Sequence, residues 1–402
     1  MKYCVIVPDG AADHPVGRLE GKTPLQVART PNMDRAARDG LLGVTCHVPP
    51  RMTPGSSVAM LSLMGYSPAD YFTGRGPLEA ADLGIEMGPR DWAVRCNLIT
   101  ADGDVLADFT AGHISTEEAE VLIETLNEEM GSDELSFHVG TSYRHVMMYS
   151  GDHHLDAQTT PPHDIVGQQM IEHHPDGPGD QFLIGLMDMS RSVLARHEIN
   201  QVRVDLGENP ANMIWLWSPG KSPAMPRFED RFGLRGGVIS AVNLVRGIGA
   251  LIGWKAIRVP GATGYTDTDY AAKGRYAIDA LKEFDIVLVH IEAPDEASHE
   301  QDVHAKVRAI EQIDSKIVGP VMAYADEGQD LRLLVCPDHV TSIGDGKHQR
   351  GQVPFALWGH GVKAQSAVPF DESHAAATDV VIEPGHHLMA ELIGTQPEEA
   401  EW

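Results

Sequence analysis

The chain has 402 residues, of which 42% are hydrophobic and 22% are charged, so it carries enough apolar material for a packed interior and lacks the composition of a disordered protein. Its 31 lysines and arginines are outnumbered by 58 aspartates and glutamates, and the net charge of −27 argues against nucleic acid or an anionic membrane as a partner. No apolar stretch approaches the roughly 20 residues of a membrane-spanning helix.

Short β-branched segments alternate with helical patterns in the first and last thirds of the chain. The predicted strands are Tyr3–Val7, Lys255–Val259, Asp285–Glu292, Leu331–Cys336 and Pro354–Trp358. The predicted helices are Pro31–Asp39, Ile239–Ile252, Asp269–Glu283 and Val303–Asp326. This alternation is typical of an α/β domain, in which helices cover both faces of a parallel sheet.

The middle third has longer polar loops and fewer continuous apolar strands. One helix is clear there: the capping box from Ser115 to Glu118 opens a periodic segment that runs to Met130. We therefore predict a discontinuous first domain, 1–64 and 236–402, into which a second α+β domain, 65–235, is inserted.

The cysteines Cys4, Cys46, Cys96 and Cys336 are scattered without paired spacing, which predicts free thiols in a reducing compartment. Met1 leads directly into the first predicted strand, which leaves no room for a signal peptide. These features predict a cytoplasmic protein. The sequence leaves open whether it forms a homo-oligomer.

Three predicted strands end in the same dipeptide, Pro8-Asp9, Pro294-Asp295 and Pro337-Asp338. A single Pro-Asp is most simply explained as the end of a strand and the start of a loop. In open α/β sheets, however, ligands bind beyond the carboxyl ends of the strands. Three such ends on neighbouring strands would bring three carboxylates to one crevice.

Histidines accompany two of these aspartates, since His299 follows Asp295 at i+4 and His339 follows Asp338 directly, while His348 lies beyond a Gly-containing loop. The i, i+4 spacing places Asp295 and His299 on one face of a helical turn, where both can reach one metal ion. Carboxylate and imidazole together suit Mn²⁺ or Zn²⁺ better than Ca²⁺.

Two metal sites that each keep an open position need about six protein ligands. The sequence offers this number. One ion would take Asp9, Asp338 and His339, and the other would take Asp295, His299 and His348.

A nucleophile for such a centre is suggested by Thr53-Pro54-Gly55-Ser56-Ser57-Val58, which precedes a predicted helix, Val58–Leu63. A serine at a helix N-terminus lies at the positive end of the helix dipole, and a metal ion would depress its hydroxyl pKa further. On this segment alone, the alternative that Ser56 or Ser57 simply caps the helix stays open.

Taken together, these motifs resemble the archaeal-type cofactor-independent phosphoglycerate mutases of the alkaline phosphatase superfamily. The similar stretches cover nearly the whole chain and are Pro8–Asp13, Gly21–Leu25, Thr30–Asp34, Thr73–Ala80, Arg95–Leu98, Ala111–Glu118, Pro210–Trp217, Ile239–Val242, Pro260–Gly264 and Glu292–Ala297. One stretch alone would be unspecific, whereas the set is highly specific.

The resemblance implies an isomerase of glycolysis and gluconeogenesis that interconverts 2- and 3-phosphoglycerate without 2,3-bisphosphoglycerate. It implies two divalent ions, Mn²⁺ or else Zn²⁺ or Mg²⁺, and a phosphoserine intermediate at Ser56. It assigns one ion to Asp9, Ser56, Asp338 and His339 and the other to Asp295, His299 and His348.

The inserted domain is expected to help hold the small phosphorylated substrate. Candidate contacts to its phosphate and carboxylate are Arg75, Arg95, His113 and Arg144. Arginine matches such anions bidentately. The alternative is that these arginines pair with nearby acids.

The chain departs from the family pattern beside the nucleophile. Relatives commonly read Gly-Ser-Asp-Val-Ala-Asn, whereas Ser57 and Met60 stand here in place of the acid and the amide. Ahead of His348, Gly346-Lys347 replaces the usual arginine and threonine. No proposed metal ligand is lost. Two other functions stay open: a homoserine kinase-like phosphotransferase, suggested by the segment Trp217–Gly220, and a metal-binding relative without activity.

Overall fold

The computed structural model describes residues 1–365 and 367–396 of the chain. Its strands are β1 (Lys2–Pro8), β2 (Leu41–Thr45), β3 (Trp92–Asp102), β4 (Val105–Asp108), β5 (Leu135–Thr141), β6 (Arg144–Tyr149), β7 (Met213–Lys221), β8 (Gly236–Ile239), β9 (Lys255–Ala256), β10 (Ile286–Ile291), β11 (Leu331–Val335), β12 (Val340–Ser342), β13 (Lys347–Gln349), β14 (Val353–Gly359) and β15 (Val381–Ile382). Its α-helices are α1 (Pro24–Val27), α2 (Pro31–Arg38), α3 (Ser56–Leu63), α4 (Pro68–Tyr71), α5 (Arg75–Asp82), α6 (Thr116–Met130), α7 (Asp180–Leu194), α8 (Glu198–Leu206), α9 (Phe228–Phe232), α10 (Asn243–Leu251), α11 (Tyr270–Glu283), α12 (Ala293–His299), α13 (Val303–Ile313), α14 (Gly319–Asp326), α15 (Glu372–Ala376) and α16 (Leu388–Ile393).

The chain divides into two compact units. The first consists of Met1–Phe72 together with the described residues from Met225 onward, and the second is Thr73–Ala224. The predicted boundaries at 64/65 and 235/236 stay a prediction, and residues 397–402 at the end of the predicted first domain lie outside the described residues. No helix in the described part of the chain is long and apolar enough to span a membrane.

The first unit is built on an eight-stranded sheet in the order β15-β2-β14-β11-β1-β10-β8-β9. Strand β1 pairs in parallel with both β10 and β11, so the three strands that lead into the Pro-Asp dipeptides are direct neighbours and run in the same direction. Their carboxyl ends therefore meet at one edge of the sheet, as the sequence predicts. Pro294 and Asp295 themselves lie in the first turn of α12 rather than at the end of β10. Strand β14 is antiparallel to both of its neighbours, so the sheet is parallel only in part.

Both faces of this sheet are covered, which explains why β1 is apolar and buried from Tyr3 onward. Cys4 and Ile6 point to one side and pack with residues of α2, α11 and α13 in the main apolar core. Val5 and Val7 point to the other side and are equally buried. Helices α10 and α16 pack on the sheet through β8 and β11. The α/β class predicted from the sequence is confirmed.

The second unit has its own antiparallel sheet, in which β4, β3, β6 and β5 follow one another and β7 also pairs with β3. Its core is separate and includes Val94 and Trp215 from the sheet and Leu122 from α6. The capping box at the start of α6 is present, because the Ser115 side chain accepts from the Glu118 backbone and the Glu118 side chain accepts from the Ser115 backbone.

Two predicted helices differ in the structure. The predicted helix Ile239–Ile252 begins at Asn243, because the residues up to Ile239 form strand β8. The predicted helix Val303–Asp326 is interrupted by a π-helical turn, Asp314–Val318. Pro320 follows this turn, and its missing N–H and bulky ring disfavour a regular α-helical turn before it. The predicted strand Lys255–Val259 shortens to Lys255–Ala256.

Candidate active site

The first cluster of candidate ligands comprises Asp9, Asp338 and His339, whose ligand atoms all lie within 4.8 Å of one another. All three residues are buried. His339 Nε2 lies 3.5 Å from Asp9 Oδ1 and 3.3 Å from Asp338 Oδ2. Within the described residues, these two carboxylate oxygens have no hydrogen-bond partner. Such orphaned buried oxygens are suited to a cation.

The charge balance of this cluster supports the same conclusion. Burial raises the pKa of Asp9 well above its usual value, and the negative neighbours Asp338, Glu292 and Asp295 raise it further. Burial also lowers the pKa of His339, which keeps its imidazole neutral. The negative charge of these carboxylates is thus concentrated around a neutral His339, and a divalent ion would offset it.

The second cluster comprises Asp295, His299 and His348. Asp295 and His299 lie on α12 at the predicted i, i+4 spacing, and His299 Nε2 is 3.0 Å from Asp295 Oδ2. His348, on β13, places its Nε2 3.1 Å from that of His299. Although burial acts in the opposite direction, the hydrogen bonds of His299 and His348 hold the pKa of Asp295 well below its usual value.

The protein orients the His299 ring from its other side. His299 Nδ1 lies 2.7 Å from the carbonyl oxygen of Gly346, to which it can donate, so Nε2 is left for a metal ion. Gly346 has φ +68°, and a Cβ there would lie 3.0 Å from the His299 carbonyl oxygen. This glycine, one of the departures from the family pattern, thus supports a candidate ligand.

The two clusters adjoin each other. The ring centroids of His339 and His348 are 4.5 Å apart. The structure therefore brings the six predicted aspartate and histidine ligands of the two ions together beyond the carboxyl ends of β1, β10 and β11.

Ser56 is the first residue of α3, and its hydroxyl reaches the first cluster. Ser56 Oγ lies 3.3 Å from Asp9 Oδ2 and 3.2 Å from His339 Nε2. Ser57 makes no side-chain hydrogen bond to either cluster in the described part of the chain. Of the two adjacent serines, the geometry thus favours Ser56 as the residue that acts at the crevice.

Sequence reasoning missed His290, which supports Asp9 from behind. His290 Nε2 lies 2.7 Å from Asp9 Oδ2, and its Nδ1 lies 3.1 Å from Ser240 Oγ. Burial lowers the pKa of His290 to about 4, so the ring is neutral and donates from one nitrogen only. A histidine inside the otherwise apolar strand Ile286–Ile291 is unusual, but the pattern does not show which residue it contacts.

Glu292 completes a third group of metal-ligand type with Asp9 and His290. Burial raises the pKa of Glu292 to about 8, and Asp295 and Glu296 add to this effect. Both nitrogens of His290 are already engaged with Asp9 and Ser240. We therefore regard this group as support for Asp9 rather than as an ion site.

Three of the four predicted substrate contacts in the second unit are arginines whose charges act on one another. The guanidinium groups of Arg75 and Arg95 lie 5.5 Å and 4.1 Å from the centre of the same Trp217 ring. Arg95 is buried and pairs with Glu79 at 2.9 Å. Burial lowers the pKa of Arg95 to about 9, and the nearby positive charges of Arg75 and Arg144 lower it as well. We call Arg75, Arg95 and Arg144 the arginine cluster.

His113 differs from the arginine cluster in its contacts. Its side chain is exposed, its φ is +51°, and its backbone N–H donates to Thr110 Oγ1 at 3.1 Å. The contacts seen for His113 are thus with its own loop, and its role in binding substrate stays a prediction.

Comparisons with known proteins agree on one family. Residues 37–200 match the family model described as 2,3-bisphosphoglycerate-independent phosphoglycerate mutase. A protein of that name from Methanothrix thermoacetophila is 46% identical over 394 residues, which cover 98% of this chain and 100% of the relative. A probable 2,3-bisphosphoglycerate-independent phosphoglycerate mutase from Geobacter sulfurreducens is 45% identical over 98% of this chain and 100% of its own.

Two solved structures share the architecture over nearly the full length. The PH0037 protein from Pyrococcus horikoshii superposes with a TM-score of 0.81 at 26% identity, covering 98% of this chain and 97% of its own. The cofactor-independent phosphoglycerate mutase from Thermoplasma acidophilum gives a TM-score of 0.67 at 27% identity, covering 98% and 99%.

Proposed function

The chain belongs to the family of 2,3-bisphosphoglycerate-independent phosphoglycerate mutases, and we propose that it interconverts 2- and 3-phosphoglycerate through a phosphoserine at Ser56. The observation that carries this proposal is the position of the Ser56 hydroxyl. It lies 3.3 Å from Asp9 Oδ2 and 3.2 Å from His339 Nε2, beside a second Asp-His-His cluster. A hydroxyl so placed is suited to nucleophilic attack on phosphorus.

The residues of the crevice fit two divalent ions, for which Mn²⁺ is our proposed metal. One ion would be held by Asp9, Asp338, His339 and Ser56, and the other by Asp295, His299 and His348. When bound, such ions neutralise phosphoryl oxygens and lower the pKa of a coordinated hydroxyl. The unpartnered carboxylate oxygens of Asp9 and Asp338 are the structural reason for this assignment.

The chain's own groups account for the first half-reaction. Ser56 Oγ forms a bond to the phosphorus of 3-phosphoglycerate as the bond between phosphorus and the C3 oxygen breaks. The Ser56 proton leaves towards Asp9 Oδ2, to which the hydroxyl donates in the structure. The proton that Ser56 gave up is then passed to the C3 oxygen of the departing glycerate, so no net proton is gained or lost and the products are phosphoserine and glycerate.

The second half-reaction reverses the first at a different hydroxyl. The C2 oxygen of glycerate forms a bond to phosphorus as the bond between phosphorus and Ser56 Oγ breaks, and the proton lost by the C2 hydroxyl is taken up by Ser56 Oγ. Water must be kept from the phosphoserine between the two steps, since hydrolysis would turn the mutase into a phosphatase. Glycerate must also be retained while it reorients.

The arginine cluster of the second unit is our proposed anchor for the substrate anion. The guanidinium groups of Arg75 and Arg95 both lie over the Trp217 ring, so two positive charges are concentrated in one place in this unit, and Arg95 also pairs with the buried acid Glu79 at 2.9 Å. Guanidinium groups bind carboxylate and phosphate bidentately. We propose His113 as a further contact on the basis of the sequence.

A direct test is to supply the purified, Mn²⁺-loaded protein with 3-phosphoglycerate and, separately, with ATP and homoserine. We expect 2-phosphoglycerate from the first mixture without added 2,3-bisphosphoglycerate. Phosphohomoserine from the second mixture alone would replace the mutase by a kinase-like transferase. Turnover of neither, with both ions bound, would indicate a metal-binding relative without activity.

A further inference from the structure

The hydroxyl of Thr341 lies between the two candidate metal clusters. Thr341 is on β12, is completely buried and is not a predicted ligand. Its Oγ1 is 2.6 Å from Asp295 Oδ1, in the second cluster, and 3.0 Å from His339 Nδ1, in the first. One side chain therefore contacts a candidate ligand of each ion.

The donors and acceptors of this contact can be assigned. An ionised carboxylate only accepts, so the Thr341 hydroxyl donates its one proton to Asp295 Oδ1. Its oxygen then accepts from Nδ1–H of His339. This fixes the tautomer of His339 with the lone pair on Nε2, the nitrogen that lies 3.2 Å from Ser56 Oγ.

We propose that Thr341 is a positioning residue that orients one ligand of each metal ion through a single hydroxyl and so couples the two ion sites. The proposal rests on the two-metal assignment above. Thr341 does not reach the substrate in this role. It sets the ring of His339 and the carboxylate plane of Asp295, the two groups that its Oγ1 contacts.

The backbone of Thr341 is itself held on both sides, which keeps the hydroxyl in place. Its N–H donates to the carbonyl of Ala12 at 3.2 Å. Its carbonyl accepts from Lys306 Nζ at 2.7 Å, and the same buried ammonium pairs with Asp13 at 2.8 Å. A buried ion pair with its hydrogen bonds satisfied is rigid.

The turn after Asp9 closes over the bond between Thr341 and Asp295. Gly10 has φ +61°, a conformation that favours glycine. A Cβ on Gly10 would lie 2.5 Å from both Thr341 Oγ1 and Asp295 Oδ1. Gly10 thus allows the turn after Asp9 to pack directly on the hydrogen bond between Thr341 and Asp295, where a side chain would push these two residues apart.

The test compares Thr341→Val, which keeps the branched shape and removes the hydroxyl, with Thr341→Ser, which keeps the hydroxyl. Mn²⁺ binding to the chelator-treated protein is measured by calorimetry and electron paramagnetic resonance. We expect Thr341→Val to bind both ions roughly 10- to 100-fold more weakly and Thr341→Ser to stay within about threefold of wild type, as for other residues that orient ligands.

The turnover of Thr341→Val should recover as Mn²⁺ is raised, whereas damage to the fold would not be reversed by the metal. Unchanged affinity in Thr341→Val would overturn the proposal, and so would equal losses in both variants. A loss confined to one ion would overturn the shared role. The affinity measurements do not depend on mutase activity: two ions bound without conversion of phosphoglycerate would contradict only the proposed function.

A measurement on the wild type covers the case in which Thr341→Val does not fold. Nitrogen-15 spectra of the metal-free protein, with His339 assigned by its loss in His339→Gln, report which ring nitrogen carries the proton. We expect the proton on Nδ1. A proton on Nε2 would overturn the proposal.

Discussion

In the unit built on the eight-stranded sheet, three buried aspartates meet at the strand ends, whereas in the inserted unit two arginines share one Trp217 ring. Among the described residues, Asp9 and Asp338 each keep one carboxylate oxygen without a hydrogen-bond partner, whereas Arg95 pairs with the buried acid Glu79. Under the proposed function, the first region would hold cations and the second would bind an anion, and we call them the cation-requiring region and the anion-accepting region. In a chain with a net charge of −27, we expect a phosphorylated anion to be bound where cations are concentrated locally, by metal ions or by a few arginines.

The largest expected effect tests whether the cation-requiring region contains the nucleophile. Ser56→Ala removes the hydroxyl that would carry the phosphoryl group and should lower turnover by roughly four orders of magnitude, since covalent catalysis is lost. Ser57→Ala is the matched control and should cost about tenfold or less, which is ~1.4 kcal/mol of barrier. Initial rates with 3-phosphoglycerate are compared for the two variants. Full activity in Ser56→Ala would exclude this serine as the nucleophile.

The second prediction tests whether that region binds two cations. His348→Ala removes one of three ligands of the second cluster, so Mn²⁺ occupancy should fall from two ions to one and turnover by roughly 100-fold or more. His360→Ala is the control, because His360 is exposed and pairs with Asp330 at 3.0 Å, away from both clusters. Metal analysis after gel filtration measures occupancy. Two tightly held ions in His348→Ala would mean that the second site is misassigned.

The third prediction tests the anion-accepting region. Arg144 is exposed, and its charge acts on buried Arg95, so Arg144→Gln should leave the fold intact and weaken substrate binding. Loss of one charged hydrogen-bond donor costs about 1.5–3 kcal/mol, a rise in KM of roughly 10- to 150-fold. Arg196→Gln, at an exposed arginine of the same unit, is the control. Equal KM values for the two variants would exclude Arg144 from the anchor.

The smallest expected effect is a pH dependence of stability that arises from a histidine of the inserted unit. In the inserted unit, burial lowers the pKa of His145 to about 3, so its neutral form is required for folding. Stability from this group is therefore complete above the unfolded pKa of about 6.5 and is lost as the pH falls below it, by roughly 2 kcal/mol at pH 5.

His145→Asn should remove this pH dependence, because the Asn oxygen can still accept the hydrogen bond that Gly140 N–H gives to His145 Nδ1 at 3.1 Å. Urea unfolding at pH 7 and pH 5, followed by Trp fluorescence, gives the two free energies. His154→Asn, at an exposed histidine, controls for loss of an imidazole without burial. An unaltered slope in His145→Asn would show that another group is responsible.

The sequence predicted those parts of the site that local pattern determines. Pro-Asp after a strand and the i, i+4 spacing of Asp295 and His299 are short-range signals, and the α/β class follows from periodicity. Thr341 and His290 could not be found in this way. His290 contacts Asp9, which is 281 residues away in the chain, and Thr341 contacts Asp295, which is 46 residues away. Thr341 also contacts the nearby His339, but the sequence pattern does not show this contact. The π-helical turn before Pro320 was missed because helical periodicity continues through it.

The central claim is that Ser56, in the cation-requiring crevice, carries the phosphoryl group between the two hydroxyls of glycerate. The most direct measurement mixes the Mn²⁺-loaded protein with isotopically labelled 3-phosphoglycerate, quenches in acid within the first turnover and maps the label by peptide fragmentation. Our account predicts one phosphate on the peptide that contains both serines, with the fragments assigning it to Ser56. A label on Ser57 would move the nucleophile by one residue, and product formation without any phosphorylated peptide would contradict the covalent mechanism.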